Sequence, residues 1–314
     1  MKISVVVPVF NEEVNIEPFL ERIIKVLNKI TNDYEIIFSL DPSKDKTEEK
    51  ILNLASKNKN IKIIIFSRRF GQPAATIAGI NNSTGDCCVV IDVDLQDPPE
   101  LIEELYVKFL EGYEVVLAKR KKRKGETFLK KIIASFGYKL INFFSEIDMP
   151  IDTGDFRLIS KKVVEQLKSM KEPHNFLRGM VAYIGFKQCE IVYDRDQRFR
   201  GDTKYNKYLG SIKIALNGLL GFSSKPLHIM TFVGFILSMF SFSIGLWYLI
   251  QKLLGENYTA GLPTSVLLIT FFSGVQLLAL GLIGEYIGRI YDQVKQRPPY
   301  IIEKKINFDH KNEK

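Results

Sequence analysis

Two long stretches without charged side chains constrain this chain more than any other feature of its sequence. Residues 226–251 and 257–284 contain no Asp, Glu, Lys or Arg. Each stretch exceeds the roughly 20 residues that cross the hydrocarbon core of a bilayer as a helix. Helices buried in soluble proteins rarely stay free of charge over such a length. The sequence therefore predicts two transmembrane helices, joined by a short hairpin loop at 255–263.

Basic residues flank these two stretches unequally. Those beside the spans are Lys204, Lys207, Lys213 and Lys225 before the first and Arg289, Lys295, Arg297, Lys304 and Lys305 after the second. The connecting loop offers only Lys252 and Glu256. Because Lys and Arg accumulate on the cytoplasmic side, we expect both termini to be cytoplasmic. Residues 1–10 form a β-branched run that is unlike a signal peptide, and we expect none.

The composition excludes several classes of protein. With 46% hydrophobic and 25% charged residues, the chain has too much apolar surface for a disordered or fibrous protein. Its 314 residues suit about two domains. The cysteines Cys87, Cys88 and Cys189 form neither a disulfide framework nor a CxxC pair, so we expect reduced thiols in a cytosolic compartment.

Strand and helix patterns alternate over residues 1–120. Strands are predicted at 3–9, 34–39, 61–66, 87–91 and 115–119, and helices at 14–27, 46–55 and 73–80. This alternation is typical of a doubly wound α/β fold with a mostly parallel sheet. Ligands of such sheets bind at the carboxyl ends of the strands, so we expect the chemistry there.

Two carboxylates one residue apart, Asp92 and Asp94, follow the fourth predicted strand. Oxygen ligands suit Mg²⁺ or Mn²⁺, which would bridge a substrate diphosphate. The triplet alone is weak evidence, because many such triplets lie in solvated loops. Asp97 has a structural interpretation, since Asp97, Pro98 and Glu100 resemble a helix start with a capping box. We therefore assign Asp97 to capping and keep the other two acids for metal binding.

Several further motifs occur in a characteristic order. They are SVVVPVFNEE at 4–13, FGQPAA at 70–75, DVDLQDPPE at 92–100, TGDFRL at 153–158, FLRG at 176–179 and RGDTKY at 200–205. On these motifs the chain resembles the inverting family 2 glycosyltransferases of the GT-A fold. Within that group it is similar to the polyprenyl-phosphate glycosyltransferases, such as bactoprenol glucosyltransferases and dolichol-phosphate mannose synthases. The resemblance covers nearly the whole chain and implies a Rossmann-like catalytic domain at 1–225, a transmembrane hairpin at 226–288 and a cytoplasmic tail at 289–314.

The resemblance also implies a nucleotide-sugar site. Its residues would be Pro8, Phe10, Glu12, Asp41, Asp92 and Arg120. Asp92 and Asp94 would hold Mg²⁺ or Mn²⁺ with the diphosphate, and Gln96 would face the donor sugar. Phe10 could equally be a plain core residue. The family usually has a VDDGS-like turn after the second strand, whereas residues 39–43 read SLDPS, which leaves the nucleotide preference open.

The acceptor that the resemblance implies is a polyprenyl monophosphate. Its second ionisation lies near pH 6, so its oxygen is nucleophilic at neutral pH without a strong general base. The cations that could hold it are Arg178, Arg198, Arg200 and Lys204. Asp155 is the acid that the resemblance puts nearest the reacting centre, as base or positioning group, with Asp152 as the alternative. Asp155 could instead serve only as the partner of Arg157 or another cation.

Basic and amphipathic segments complete the pattern. The run KRKKRK at 119–124 is not accompanied by any nucleic-acid-binding motif, so we assign it to anionic lipid headgroups and phosphates and expect no nucleic-acid partner. Residues 127–145 and 205–222 are predicted to be amphipathic helices at the membrane interface. A surface helix that faces the protein core is the alternative for the first of them.

Together these features predict a membrane-anchored inverting glycosyltransferase of the inner membrane. It would transfer one hexose, from UDP-glucose by the bactoprenol-like resemblance, to undecaprenyl phosphate at the cytoplasmic face for a cell-envelope glycan. The QxxRW motif of processive synthases is missing, since the single tryptophan, Trp247, lies in a span. Two alternatives stay open: transfer to a diacylglycerol-type lipid, and a catalytically degenerate membrane scaffold, favoured only by the altered turn at 39–43. Self-association through the spans is also open.

Overall fold

A computed structural model gives the structure of residues 1–121, 153–170, 176–195, 221, 223–255 and 261–308. Its strands are β1 (Ile3–Val9), β2 (Tyr34–Leu40), β3 (Ile61–Phe66), β4 (Cys87–Val90), β5 (Val115–Arg120), β6 (Thr153–Ser160), β7 (Gln188–Tyr193) and β8 (Ile302–Ile306). Its helices are α1 (Ile16–Ile30), α2 (Thr47–Lys57), α3 (Gln72–Asn81), α4 (Leu101–Leu110), α5 (Lys161–Ser169), α6 (Leu177–Ile184), α7 (Lys225–Leu253) and α8 (Leu262–Val294). Within the described residues the strands form one sheet in the order β7-β5-β6-β4-β1-β2-β3-β8.

The centre of this sheet is parallel and buried on both faces. β1 pairs in parallel with β2 and β4, and β2 pairs in parallel with β3. All seven residues of β1 are buried, as expected for a strand covered by helices on both sides. The apolar stripe of α1, with Phe19, Ile23 and Leu27 fully buried, packs in the same core. The predicted α/β fold is confirmed, and α1 to α3 lie where the periodicity predicts them, with small shifts at their ends.

Two antiparallel pairings extend the sheet on the side of β4. β6 is antiparallel to both β4 and β5, and β7 is parallel to β5. Sequence analysis predicts neither β6 nor β7, because their pairing partners are distant in the chain. The register sets Thr153 opposite Lys119, so the beginning of β6 lies beside the carboxyl end of β5.

The segment after the second apolar helix returns to the sheet. β8 pairs antiparallel with β3, and Ser67 N donates a hydrogen bond to Ile301 O at 3.1 Å. The Tyr300 ring packs 5.8 Å from the Phe66 ring, centroid to centroid. Asn307 Nδ2 donates to backbone carbonyls beside α2 and at the start of β3. Within the predicted tail at 289–314, the chain therefore contributes a strand that covers the edge of β3, while the cytoplasmic position of this segment stays a prediction.

Helices α7 and α8 contain the two candidate membrane spans. Residues 225–247 and 268–294 are long and apolar enough to cross a bilayer, and none of their most apolar window is buried within the protein. The Tyr286 hydroxyl of α8 donates to Ser223 O just before α7, at 2.8 Å. The beginning of the first span and the end of the second therefore lie together. The predicted amphipathic helices at 127–145 and 205–222 lie outside the described residues, apart from Gly221.

Candidate active site

Several of the predicted site residues follow strands of the parallel centre of the sheet. Phe10 follows β1, Asp41 follows β2 and Asp92 lies two residues after β4. β1 has β2 on one side and β4 on the other, so the chain order reverses between β1 and β4. In open α/β sheets such a reversal opens a crevice at the carboxyl ends, where ligands bind. The candidate site lies at this crevice.

Asp92 is a partly buried carboxylate among other acids. Its Oδ1 accepts a hydrogen bond from Gln72 Nε2 at 2.8 Å. Burial raises the pKa of Asp92 to about 8, with further contributions from the negative charges of Asp94, Asp97 and Asp155. Negative charge is therefore concentrated here beyond what the neighbouring cations offset.

Asp94 lies in a tight turn that the backbone adopts at some cost. Gln96 N donates to Asp94 Oδ1 at 3.2 Å, and Leu95 between them has a φ of 59°. This left-handed conformation is rare for a bulky residue and typically occurs where surrounding structure enforces it. The turn fixes the backbone positions from which the side chains of Asp94 and Gln96 project. Both residues are partly exposed, as ligand-binding side chains must be.

The oxygens of Asp92 and Asp94 fit a divalent cation that is completed by substrate. Among the described residues, no group of three or more His, Cys, Asp or Glu side chains forms a ready-made metal cage. Mg²⁺ commonly takes one or two carboxylates and completes its shell with water and substrate phosphates. Burial raises the pKa of Asp92, and the negative charges of Asp94, Asp97 and Asp155 raise it further, so a cation beside these acids would favour the ionised carboxylate. The metal itself stays a prediction.

Asp41 is buried and holds a neighbouring turn. Its two carboxylate oxygens accept hydrogen bonds from the backbone N–H groups of Phe70 and Gly71, each at 2.9 Å, and only 2% of the residue is exposed. Gly71 has a φ of 91°, which glycine adopts without strain, and α3 begins at the next residue, Gln72. Asp41 therefore positions the turn that carries Gln72 to Asp92. A contact between Asp41 and a nucleotide stays a prediction.

The residues around the end of β1 differ in accessibility. Phe10 is partly exposed, and the Arg69 guanidinium stacks on its ring, 4.0 Å from the ring centroid. Phe10 is therefore not a plain core residue. Pro8 is buried within β1 opposite Ser39. Glu12 accepts a hydrogen bond from Asn15 Nδ2 at 2.6 Å.

Asp155 and Arg178, which the sequence suggests for separate roles, form an ion pair. Arg178 Nε lies 2.9 Å from Asp155 Oδ1. The buried Arg157 donates to the backbone carbonyls of Asp155, at 3.3 Å, and Gly154, at 2.8 Å. Burial raises the pKa of Asp155, but the positive charges of Arg178 and Arg157 lower it more, so this pKa lies below its ordinary value. Asp155 therefore has the cation partner that the alternative interpretation expects.

The assignment of Asp97 to helix capping is wrong. α4 begins at Leu101 with Glu100 at its N-cap position, and among the described residues no side chain caps it. Asp97 is 1% exposed and instead accepts hydrogen bonds from the Tyr193 hydroxyl and from Arg195 Nε, at 3.2 Å. Arg120 Nη2 lies 3.4 Å from its other carboxylate oxygen. These tertiary partners override the local capping pattern.

Sequence analysis missed several residues of this site and predicted others that lie outside the described residues. The missed residues are Gln72, Tyr193 and Arg195. Gln72 stands in the FGQPAA motif, which was a usable signal, whereas no local pattern marks Arg195. Arg198, Arg200, Lys204 and Asp152 lie outside the described residues.

Comparison with known proteins gives consistent matches. Residues 4–168 match the family model described as Glycosyl transferase family 2. An uncharacterized glycosyltransferase of Bacillus subtilis, YkcC, is 44% identical, over 98% of this chain and 95% of the relative. The bactoprenol glucosyl transferase of Shigella phage SfII is 40% identical, over 97% of this chain and 98% of the relative.

Solved structures also match part of the chain. Glucosyl-3-phosphoglycerate synthase from Mycobacterium tuberculosis, in complex with UDP, is 19% identical with a TM-score of 0.45, over 69% of this chain and 80% of that chain.

Proposed function

The chain belongs to glycosyl transferase family 2 and is a glycosyltransferase, and we propose that it transfers one hexose from a nucleotide sugar to a polyprenyl phosphate. The observation that carries this proposal is 40% identity to a bactoprenol glucosyl transferase over nearly the full length of both chains. Bactoprenol is a polyprenyl lipid, so a related acceptor is expected here. The carboxylates of Asp92 and Asp94 would bind a divalent cation that offsets the charge of a nucleotide diphosphate, and the positive charge of Arg120 lies within electrostatic reach of Asp92.

For the finer chemistry, we propose UDP-glucose as donor and inversion at the anomeric carbon. An oxygen of the acceptor phosphate attacks the anomeric carbon in line with the leaving group. The bond between that carbon and the diphosphate oxygen breaks, and the electron pair leaves with the nucleoside diphosphate. Because the acceptor phosphate already carries most of its second negative charge at neutral pH, no proton needs to be removed in this step.

This chemistry favours Asp155 as a positioning group rather than a base. An ionised carboxylate paired with Arg178 at 2.9 Å, and with its pKa held low, is a poor proton acceptor. The same ion pair fixes the Arg178 guanidinium, which could then hold an acceptor phosphate oxygen. Arg198, Arg200 and Lys204 stay predictions for the same phosphate.

Two carboxylates would hold the metal. Asp92 and Asp94 would bind Mg²⁺ or Mn²⁺, which supplies positive charge to the diphosphate of the donor. Gln72 keeps the Asp92 side chain in place through its 2.8 Å hydrogen bond. Gln96 is proposed to face the donor sugar, and Arg120 to meet phosphate.

For the membrane, we propose that α7 and α8 cross it as a hairpin, with the catalytic domain and both termini in the cytoplasm. The pairing of β8 with β3 supports this topology, because the chain leaves the catalytic domain before α7 and rejoins it after α8. A cysteine introduced at Asn257 should react with an impermeant reagent added outside the cell, and one at Asn312 should not. Labelling of both from the same side would contradict the hairpin.

The activity itself is testable by product analysis. Purified protein with Mg²⁺ would be given a panel of nucleotide sugars and either undecaprenyl phosphate or diacylglycerol. We expect one glycolipid, from undecaprenyl phosphate and UDP-glucose, identified by its mass. The Asp94→Asn variant is the matched control and should form none, because an amide binds a divalent cation far less well than a carboxylate. Product from diacylglycerol alone would overturn the acceptor, and no product from any pair would overturn the proposed function.

A further inference from the structure

A buried carboxylate gathers three side chains beside the candidate metal site. We name this the Asp97 cluster and define it as Asp97, Arg120, Tyr193 and Arg195. Arg120 ends β5 and Tyr193 ends β7, and Asp97 lies three residues after Asp94 in the loop that follows β4. Donors from two strand ends therefore converge on one acid of the metal-site loop.

The cluster carries unbalanced positive charge toward solvent. Two guanidinium groups face the single carboxylate of Asp97, which leaves a net charge of about one positive unit within the cluster. The side chain of Asp97 is 1% exposed, whereas those of Arg120 and Arg195 are 30% and 20% exposed. The carboxylate therefore lies inside, and the two cations reach the surface, Arg120 within electrostatic reach of Asp92.

Both guanidinium groups retain hydrogen-bond donors that a ligand could use. A guanidinium has five N–H donors in a planar fork that matches the oxygens of phosphate. In the part of the chain that the structure describes, Arg195 donates to Asp97 through Nε alone. Arg120 uses Nε toward the Tyr193 hydroxyl, at 3.3 Å, and Nη2 toward Asp97. The outer edges of both forks are therefore available.

The cluster adjoins the proposed donor and acceptor positions. A Cβ atom on Gly154 would lie 2.7 Å from Arg120 Nη2, so Arg120 lies directly over the residue that precedes Asp155. The positive charge of Arg120 also lowers the pKa values of Asp92 and Asp155. The Arg120 guanidinium therefore lies within electrostatic reach of both acids.

We propose that Arg195 is a phosphate-binding residue of this transferase, held beside Arg120 by Asp97 and Tyr193. The proposal rests on the proposed function, because the phosphate would belong either to the donor diphosphate or to the acceptor lipid. Asp97 is a positioning residue that fixes the two forks and touches no substrate. Because their geometry is fixed before binding, little side-chain entropy is lost when the phosphate arrives.

Binding of two soluble probes to the full chain in detergent tests this without relying on turnover. UDP with Mg²⁺ reports the donor diphosphate, and farnesyl phosphate reports the lipid phosphate. The loss of one charge-assisted hydrogen bond weakens binding by about tenfold to a hundredfold. Arg195→Gln should weaken at least one probe by that factor, and Arg195→Lys should restore part of it. Arg22→Gln is the control, since the partly exposed Arg22 pairs with Glu100 and should affect neither probe.

Each outcome either assigns Arg195 to one of the two phosphates or shows that it binds neither. Weaker binding of UDP alone assigns Arg195 to the donor diphosphate, and weaker binding of farnesyl phosphate alone assigns it to the acceptor. Weakening of both assigns it to a position between the two phosphates. Unchanged binding of both probes overturns the proposal. A wild-type protein that binds both probes but glycosylates no undecaprenyl phosphate removes the proposed function, while the binding data still decide the role of Arg195.

The positioning role of Asp97 has its own measurement. Asp97→Asn and Tyr193→Phe keep the shapes of the side chains, and each should weaken the same probe as Arg195→Gln, by a smaller factor. In the Arg195→Gln background, Asp97→Asn should add less than it does alone, because part of its effect acts through Arg195. A purely structural role would lower thermal stability and give losses that simply add, and that result would overturn the positioning role.

Discussion

Two carboxylates near opposite ends of this sheet, the buried Glu35 and the partly buried Asp92, have pKa values shifted in opposite directions. Glu35 lies at the amino end of β2, and its side chain is 1% exposed. Burial raises the pKa of Glu35, but hydrogen bonds from Lys62, Ser4 and Thr84 lower it more, to about 2. Asp92, at the carboxyl end of β4, has its pKa raised to about 8 by burial and neighbouring acids. The same sheet therefore stabilises negative charge at one end and leaves it undercompensated at the other.

The difference follows from how many donors each end supplies. Lys62 Nζ lies 2.7 Å from Glu35, and Lys2 Nζ lies 3.2 Å from it. Ser4 Oγ and Thr84 N also donate to it, so the carboxylate is fully surrounded. For Asp92, Gln72 is the one hydrogen-bond donor recorded among the described residues. The carboxylate at the amino end of the sheet therefore has several donors, whereas Asp92 at the carboxyl end has fewer donors and other acids nearby, an arrangement that is common at functional sites.

The largest expected effect is on catalysis at the undercompensated end. Asp92→Asn should lower kcat by at least about a hundredfold, because a preorganised charge at the donor diphosphate is lost. In chelator, the thermal stability of Asp92→Asn should equal or exceed that of the wild type, since a poorly compensated, partly buried charge is removed. Initial rates with Mg²⁺ and thermal unfolding would be measured on the same preparation. Marked destabilisation by Asp92→Asn would break the comparison.

The next effect is on stability at the other end. Glu35→Gln should lower the free energy of unfolding by about 3 kcal/mol, because it leaves the Lys62 ammonium without its buried partner. The kcat of the folded enzyme should be unchanged, since this cluster is remote from the crevice. Chemical denaturation in detergent gives the first quantity and initial rates give the second. Glu21→Gln, in an exposed pair with Lys25, is the matched control and should have no measurable effect.

A smaller effect on catalysis should follow when the Arg120 guanidinium is displaced but not removed. Gly154→Ala adds a Cβ within 2.7 Å of Arg120 Nη2, a flexible side-chain end that can shift. The expected result is a loss of about tenfold in kcat/KM with little change in stability, because misplaced charges stabilise a transition state less well. Gly245→Ala is the control, since nothing lies within 4 Å of its added Cβ. Normal activity of Gly154→Ala would show that the placement of Arg120 is unimportant.

The smallest effect is a difference in pH dependence. The pKa of Glu35 is about 2 in the folded protein, against an ordinary value of 4.5, so its contribution to stability is present above pH 4.5 and is lost as the pH falls toward 2. Asp92 has the opposite sign: its contribution is present below its ordinary pKa and is lost as the pH rises toward 8. Denaturation of the wild type, Glu35→Gln and Asp92→Asn in chelator would be followed from pH 3 to 8. Parallel curves for all three proteins would contradict both assignments.

Local patterns in the sequence are enough to predict the parallel half of the fold and the loop that carries Asp92 and Asp94, the candidate metal ligands. Apolar runs and helical periodicity define β1 to α3, because local burial on one face or both imposes those patterns. Asp92 and Asp94 are identifiable because they directly follow the apolar run that forms β4, so the sequence itself marks where this strand ends. The two candidate spans followed from their uninterrupted apolar length.

Only the tertiary structure decided which distant residues meet. Asp97 was assigned to a helix cap because its local sequence fits one, but the order of β4, β6, β5 and β7 brings Arg120 and Arg195 to it. Helix packing on the sheet brings Arg178 of α6 to Asp155 of β6, and the sheet order sets β8, from beyond the second span, at the edge of β3. Propensity and periodicity describe neighbours along the chain. Ion pairs between distant segments depend on sheet order, strand register and helix packing, which no single segment of the sequence encodes.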